Sequence, residues 1–270
     1  MNPPEVTDAV RELRRTATIR ERAGRLLARA RGGDSPWFTV HDDALDAAAV
    51  VVAGVTRSNY PGLAIPYHSR WRHFAAGGVD RRADLVARLA GRDIAARARA
   101  MIDLTVISVL LDAGAGPDWA YREGDRTFTR SEGLAVASFH AFTAGLFSAD
   151  PDDPLRVDAA GLRALTPDRL AAAFQVGPGN PLVGLDGRVA LLQRLGLALD
   201  RPGAMFDTLA GNTVRAHDIL SYLLASLSGI WLASNAIDGI PLGDCWPHPA
   251  VGWLPLHKLS QWVTYSLLEP

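Results

Sequence analysis

The strongest constraint in this sequence is where its helix breakers fall. Twenty-five glycines and seventeen prolines lie mainly between runs whose apolar residues recur near a 3.6-residue period. A proline inside a helix removes a backbone donor and clashes with the preceding turn, so the runs are free to be helices and the gaps between them are not. The expected fold is therefore mainly α: a single compact multi-helix domain over 1–270 with at most a small β-hairpin. With 48% hydrophobic residues, the chain has ample material for its core. An acidic, Pro-rich stretch, SADPDDPL, marks a candidate internal boundary near 148–156.

Taken in order, Val6 to Arg31 reads as one long amphipathic helix with its arginines on the other face. A second helix is expected from Asp42 to Thr56, with its Ala-Ala-Ala-Val-Val-Val centre buried. Pro61 and Pro66 break the pattern before helices at 80–89 and 94–111, the latter long, apolar and central. WAYREGDRTFTR has the form of a hairpin turning at Glu123-Gly124-Asp125. Thr129 or Ser131 then caps a helix in which Gly133, Ala135, Ala137 and Ala141 allow close packing. Shorter helices follow at 158–165 and 167–174, a glycine-rich loop enters another, and helices at 205–209, 214–231 and 256–268 close the chain.

Several chemistries lack their signatures. Lys plus Arg number 28 against 29 Asp plus Glu, without the basic excess that a nucleic-acid partner requires. No apolar run approaches the roughly 20 residues that cross a bilayer, so no membrane partner is expected. The N-terminal stretch has Pro, Arg and Glu where a secretion signal would be apolar, and one cysteine, Cys245, forbids an internal disulfide. A cytoplasmic protein is the expectation. GxSxG, the dinucleotide fingerprint, a GKS or GKT phosphate loop and HExxH are all missing. Neither a cofactor nor a metal is expected, although Asp244, His248 and His257 carry donor atoms that a metal accepts.

Two stretches concentrate the remaining chemistry. The C-terminal one places Asp244, Trp246, His248, Trp253, His257, Lys258, Gln261, Trp262 and Tyr265 in one short span of a chain only 7% aromatic. The other, YHSRWRHFAAGG at 67–78, holds Arg70, Trp71, Arg72 and His73. Arginine forks suit carboxylate or phosphate and tryptophan covers flat groups; equally, Trp71 and Phe74 serve as core anchors and the cations as loop donors. Asp103 sits among Met, Ile, Leu and Val, so it either faces a polar cavity or is paired. Glu132, in a helix's first turn, either lies beside an anion site or complements the dipole. Asn180, Asp186 and Arg188 are further polar candidates.

Certain segments carry a family resemblance. IPYHSRWRHFAAGG, DLTVISVLLDAGAGPDW, RSEGLAVASF, FQVGPGNPLVGLDGR and LGDCWPHP with LHKLSQWVTYSLLEP resemble the family of the fourth fungal uracil-catabolism protein and its bacterial relatives, long described as a domain of unknown function. The motifs run in order over most of the chain, leaving mainly the N-terminal helix unanchored. The resemblance implies a role in reductase-independent pyrimidine degradation, where uracil is handled in ribosylated form and ring opening leaves a ribosylurea-type intermediate. In the order of its helices the chain is more distantly similar to the queuosine-nucleotide salvage hydrolases, which implies a glycosylase-like helical fold. Lys258 and Gln261 match that family's terminal basic residue and glutamine, but Leu256 stands where its carboxylate belongs.

These readings converge on a hydrolase that cleaves the N-glycosidic C–N bond of a ribosyl or phosphoribosyl small molecule. Asp244 is expected to carry the carboxylate role with Asp103 in reserve, and His248 or His257 to meet the leaving group. Arg70, Arg72 and Lys258 would hold phosphate or hydroxyls, Trp71, Trp246 and Trp262 would wall the pocket, and His73, Glu132 and Gln261 would complete the binding set. The alternatives are a non-catalytic uracil- or nucleotide-binding or scaffold protein, and a metal-assisted amidohydrolase.

Overall fold

The computed structural model describes residues 6–209, 211, 213–231 and 234–270. Residues 1–5, the start of the stretch read against a secretion signal, lie outside them. The described chain is mainly helical, with short antiparallel ribbons as its only sheets. In chain order the helices are α1 (Asp8–Leu13), α2 (Thr16–Arg31), α3 (Leu45–Asn59), α4 (Arg70–Phe74), α5 (Arg81–Arg88) and α6 (Ile94–Leu110). Then come α7 (Arg130–Thr143), α8 (Ala159–Arg163), α9 (Pro167–Ala173), α10 (Leu185–Ala198), α11 (Met205–Leu209), α12 (Ala216–Leu227) and α13 (Lys258–Ser266). The ribbons are β1 (Ala120–Glu123) with β2 (Arg126–Thr129), β3 (Ala236–Ile237) with β4 (Ile240–Pro241), and β5 (Cys245–His248) with β6 (Gly252–Pro255).

The expected hairpin forms at β1 and β2, with Tyr121 opposite Phe128. The other two ribbons were not read from the sequence, because two- and four-residue strands containing proline give no alternation to detect. The described residues group into two compact units, a larger one from 68–244 with 257–270 and a smaller one from 6–67 with 245–256.

The core of the larger unit is built on α6. From Ala98 to Leu110 almost every residue is buried, including Leu104 and Ile107 with no exposure, as an all-round apolar helix requires. The neighbouring α7 closes on the hairpin that precedes it because Gly133 lacks a side chain: a Cβ there would sit 2.6 Å from the Phe128 carbonyl oxygen of β2 and 2.9 Å from the Trp119 ring. At its far end α6 is clasped by Arg188 of α10, whose guanidinium donates to the Leu111, Ala113 and Gly114 carbonyls at 3.2, 2.8 and 3.2 Å. Arg188 thus satisfies the carbonyl of the C-cap residue of α6 and those of the turn that follows it. The acidic stretch at 148–156 lies inside this unit, where Arg92 pairs with Asp153 at 2.7 Å.

In the smaller unit the single N-terminal helix expected from Val6 to Arg31 divides into α1 and α2. Arg15 is extended at the break, and the Thr18 hydroxyl reaches back 2.7 Å to Glu12, a bond that staples the bend. Both helices pack on β6, and Arg22 donates to the Val251 carbonyl at 2.8 Å. The second expected helix forms as α3, but its valine centre is not buried: none of its fifteen residues is.

Asp103 is fully buried in α6 and multiply bonded. It pairs with Arg201 at 2.8 Å and accepts from the Gly203 and Val157 backbone N–H groups at 2.6 and 3.2 Å. Burial pushes its carboxyl up to about 7, against the pull of Arg201. Breaking a buried pair strands the partner charge, so Asp103→Ala should cost about 3–5 kcal/mol of stability in urea denaturation; a loss below about 1 kcal/mol would mean that these donors find other acceptors.

Candidate functional site

A cavity of about 730 Å³ opens in the larger unit. His68 and His73 from the first polar stretch line it together with Asp244, Lys258, Gln261, Trp262 and Tyr265 from the C-terminal one, and Asp112, Ser131 and Leu259 complete the wall. The two stretches that the sequence marks out, almost 200 residues apart, therefore meet at one place.

Behind this wall stands Arg70, which has no solvent exposure. Ser69 caps α4 by accepting from the Trp71 N–H, and the backbone N–H of Arg70 donates to the Ser266 hydroxyl of α13 at 2.9 Å. The guanidinium reaches Ser108 of α6 through Nε at 2.7 Å, and through Nη1 it reaches Asp112 in the turn after α6 and the Ser131 carbonyl of α7, both at 3.1 Å. Burial pushes Arg70 down to about 10, and the Asp112 carboxylate opposes that shift; it stays cationic at neutral pH. Its Cζ lies 5.6 Å from the centre of the Trp262 ring. Arg70 Nη2 and Trp262 Nε1 are buried N–H groups that meet no acceptor among the described residues.

His73 is held by the same arginine. Its Nδ1 lies 3.3 Å from Arg70 Nη1, and since a guanidinium only donates, Nδ1 accepts and the proton of the neutral ring resides on Nε2. Burial first, and then the positive charge of Arg70, lowers its pKa from the ordinary 6.5. The neutral ring is thus favoured, with a donor available on Nε2. His68 stacks on Trp262 with ring centres 5.8 Å apart and an interplanar angle of 22°, while His73 meets the same indole edge-on.

The opposite sign of charge comes from Asp244. Its Oδ2 accepts from the Lys258 N–H at 3.1 Å and its carbonyl from the His257 N–H, also at 3.1 Å. Asp244 thereby pins the start of α13, where His257 takes a left-handed backbone conformation. Lys258, the sole lysine of the sequence, is exposed at the rim.

The remaining expected residues lie elsewhere. Trp71 is a core anchor that donates to the Ser266 carbonyl at 3.1 Å, and Arg72 is an exposed partner of Glu269 at 2.6 Å. Glu132 is exposed in the first turn of α7, whose N-cap position is Thr129 without a side-chain capping bond. Asp103 belongs to the buried Arg201 pair, and the His257 side chain is buried without lining the cavity. Trp246 and His248 belong to the smaller unit: Trp246 is 46% exposed, and His248 Nδ1 accepts from the Ala250 N–H at 3.1 Å. Asn180 ties the first hairpin through both Ala120 backbone groups, and Asp186 is an exposed first-turn residue of α10.

Sequence reading did not name Asp112 or His68 as site residues, and it named Tyr265 only as a member of the C-terminal span. Asp112 reads as the last polar residue before a glycine-rich helix stop, and nothing in its local pattern reveals the arginine 42 positions earlier. Among the described residues no three His, Cys, Asp or Glu side chains form a metal-holding group, and none of the described helices is long and apolar enough to cross a membrane.

A family model described as "Protein of unknown function (DUF1688)" matches residues 12–270. The chain belongs to the DUF1688 family. Among its relatives, "Protein urg3" of Schizosaccharomyces pombe is 39% identical over 278 residues, covering 98% of this chain and 69% of that protein. "Uracil catabolism protein 4" of Lachancea kluyveri is 38% identical over 264 residues, covering 85% of this chain and 60% of that protein. This DUF1688 chain thus spans about two thirds of the length of these curated relatives. No solved structure matches it.

The His73 environment has a consequence for stability. Because the native pKa is lowered, unfolding takes up a proton below about 6.5 that the native ring declines. The His73 contribution is therefore complete above that pH and is lost as pH falls through the native value. Thermal melts at pH 7.5 and 5 should show a smaller acid-side fall for His73→Gln than for the unaltered chain; an equal or larger fall would contradict a neutral native His73.

Proposed function

We propose that this DUF1688 protein acts in uracil catabolism and hydrolyses the N-glycosidic C–N bond of a ribosylurea-type or ribosylated pyrimidine intermediate. The observation that carries the reading is the cavity itself, which the Trp262 ring and the N–H-bearing side chains of His73, Lys258 and Gln261 line together with the Asp244 carboxylate. A ureido or pyrimidine fragment presents carbonyl oxygens to such donors, and its flat face suits stacking on an indole. The name of the Lachancea kluyveri relative, a uracil catabolism protein, supports the pathway.

In this reading the bond from the sugar anomeric carbon to nitrogen breaks and the water oxygen bonds to that carbon. One water proton goes to the leaving nitrogen and the other stays on the new sugar hydroxyl. Asp244 stabilises the developing positive charge on the sugar and directs the water. The leaving fragment gains negative character, which the His73 Nε2–H stabilises by donation; a neutral imidazole suits this donor role. His73 takes the place expected of His248 or His257, because it lines the same cavity as Asp244. Lys258 and Gln261 hold sugar hydroxyls or a phosphate. No cofactor takes part, and the partner is a small ribosyl or phosphoribosyl molecule encountered in the cytoplasm.

One observation favours the non-catalytic alternative, a binding or scaffold protein of the same pathway: Asp244 already has a structural task in capping α13. The two readings separate at Asp244→Asn. Asparagine keeps an oxygen for the Lys258 N–H but loses the charge, so the fold should persist while turnover is lost. Incubation with ribosylurea and with its 5′-phosphate, followed by mass spectrometry of urea and free sugar, should show both products from one of them. Binding of either compound without product, or unchanged turnover by Asp244→Asn, would contradict the catalytic assignment.

A further inference from the structure

The turn that follows α6, residues 112–117, forms a second recess of about 490 Å³ with Arg130 and Ser131 of α7. Asp112 and Ser131 line both this recess and the cavity described above, so the two adjoin along one wall of the larger unit. The roles assigned so far leave the second recess unused.

Its chemistry is one-sided. The carbonyls of Leu111, Ala113 and Gly114 are bonded by Arg188, and that of Ala115 accepts from the Val183 N–H at 3.1 Å. The N–H groups of Ala113, Gly114, Ala115 and Gly116, by contrast, meet no acceptor among the described residues. A turn with these carbonyls committed and its N–H groups open has donors to offer a ligand, as anion sites do. The turn is also held in place: Gly116 has a φ of +88°, and a Cβ there would sit 2.6 Å from the Val183 side chain. Arg188 puts buried positive charge beneath it, and Asp112 is already paired with Arg70 at 3.1 Å. The neighbouring carboxylates in sequence, Asp118 and Glu132, line neither recess.

Arg130 brings a cation to the same place. It is exposed, and neither its guanidinium nor the Ser131 hydroxyl has a partner among the described residues. The backbone of Arg130 has a φ of +51°, a left-handed conformation that is strained for a residue with a Cβ and easy for glycine. A strained arginine whose side chain serves no contact of the fold points to a role outside the fold. Its planar fork of donors matches phosphate.

We infer that this recess is an anion subsite that receives the 5′-phosphate of the substrate, with Arg130 as its cation and the Ser131 hydroxyl as a further donor. The substrate is then a phosphoribosyl compound that reaches across the shared wall of Asp112 and Ser131. The inference rests on the glycosidic reading of the adjoining cavity, and it leaves Lys258 and Gln261 to the sugar hydroxyls.

Two measurements on the full chain test it: kcat/KM for ribosylurea and for its 5′-phosphate, and calorimetric binding of ribose 5-phosphate. The unaltered protein should favour the phosphorylated substrate about hundredfold. Arg130→Gly, which removes the cation and suits the left-handed backbone, should lower that ratio at least about tenfold. It should weaken ribose 5-phosphate binding by a similar factor, the worth of one charge-assisted hydrogen bond. Arg130→Gln should do the same without added backbone freedom at the start of α7. Neither variant removes a bond of the fold, so both should melt close to the unaltered chain. No preference for the phosphorylated substrate overturns the inference, as does a ratio or an affinity that neither variant lowers. If neither compound is hydrolysed but ribose 5-phosphate binds through Arg130, the subsite stands and the glycosidic reading falls. Hydrolysis of ribosylurea without that binding has the opposite meaning.

Discussion

The cavity of the larger unit depends on one buried cation. Removing a guanidinium from water costs several kcal/mol even after relaxation, and Arg70 survives that cost because its environment is assembled around it. Asp112 supplies the counter-charge at 3.1 Å, Ser108 and the Ser131 carbonyl accept further N–H groups, and the backbone N–H of Arg70 reaches Ser266. These partners come from α6 and the turn after it, α7 and α13. The bonds that make the charge tolerable therefore also fix the walls of the cavity. Loss of Arg70 would leave Asp112 buried without its partner, so the residue secures both fold and site.

From this arrangement follow the properties of the cavity lining. Arg70 fixes the tautomer of His73 by occupying Nδ1 and helps to keep the ring neutral. It lies over Trp262, on which His68 stacks. Donors therefore gather around one indole, while the carboxylate of Asp244 is positioned independently by the first turn of α13. Separate anchoring of donor and carboxylate is what a reaction with opposite charges developing on sugar and leaving group requires.

Much of the helical content was legible, because period and breakers are local properties. The central helix with Asp103, the hairpin at Glu123-Gly124-Asp125 and the helix at 205–209 appear where the residues place them. What depends on partners was not legible. The apolar centre of α3 promised burial, but composition shows that a helix needs covering without showing what covers it. The run from Val6 to Arg31 keeps its period across Arg14 and Arg15, and the break there comes from a Glu12–Thr18 bond that no periodicity reveals. For the site, residue type pointed to both polar stretches, and Arg70, His73, Lys258, Gln261 and Trp262 gather around one cavity. Residue type did not separate these from Trp71 and Arg72, which neighbour Arg70 in sequence but face the core and Glu269. A short helix sends successive side chains in different directions, and only tertiary packing decides which of them meets the cavity.

The proposed reaction is defined by which bond to carbon breaks, and hydrolysis of ribosylurea in oxygen-18 water reads that directly. Attack at the sugar predicts that urea is released intact and unlabelled, while the sugar, trapped by immediate reduction before its anomeric oxygen exchanges, carries the heavy oxygen. Ammonia in place of urea, or heavy oxygen in the carbonyl fragment, would place the attack on the ureido carbon and contradict a glycosidic mechanism.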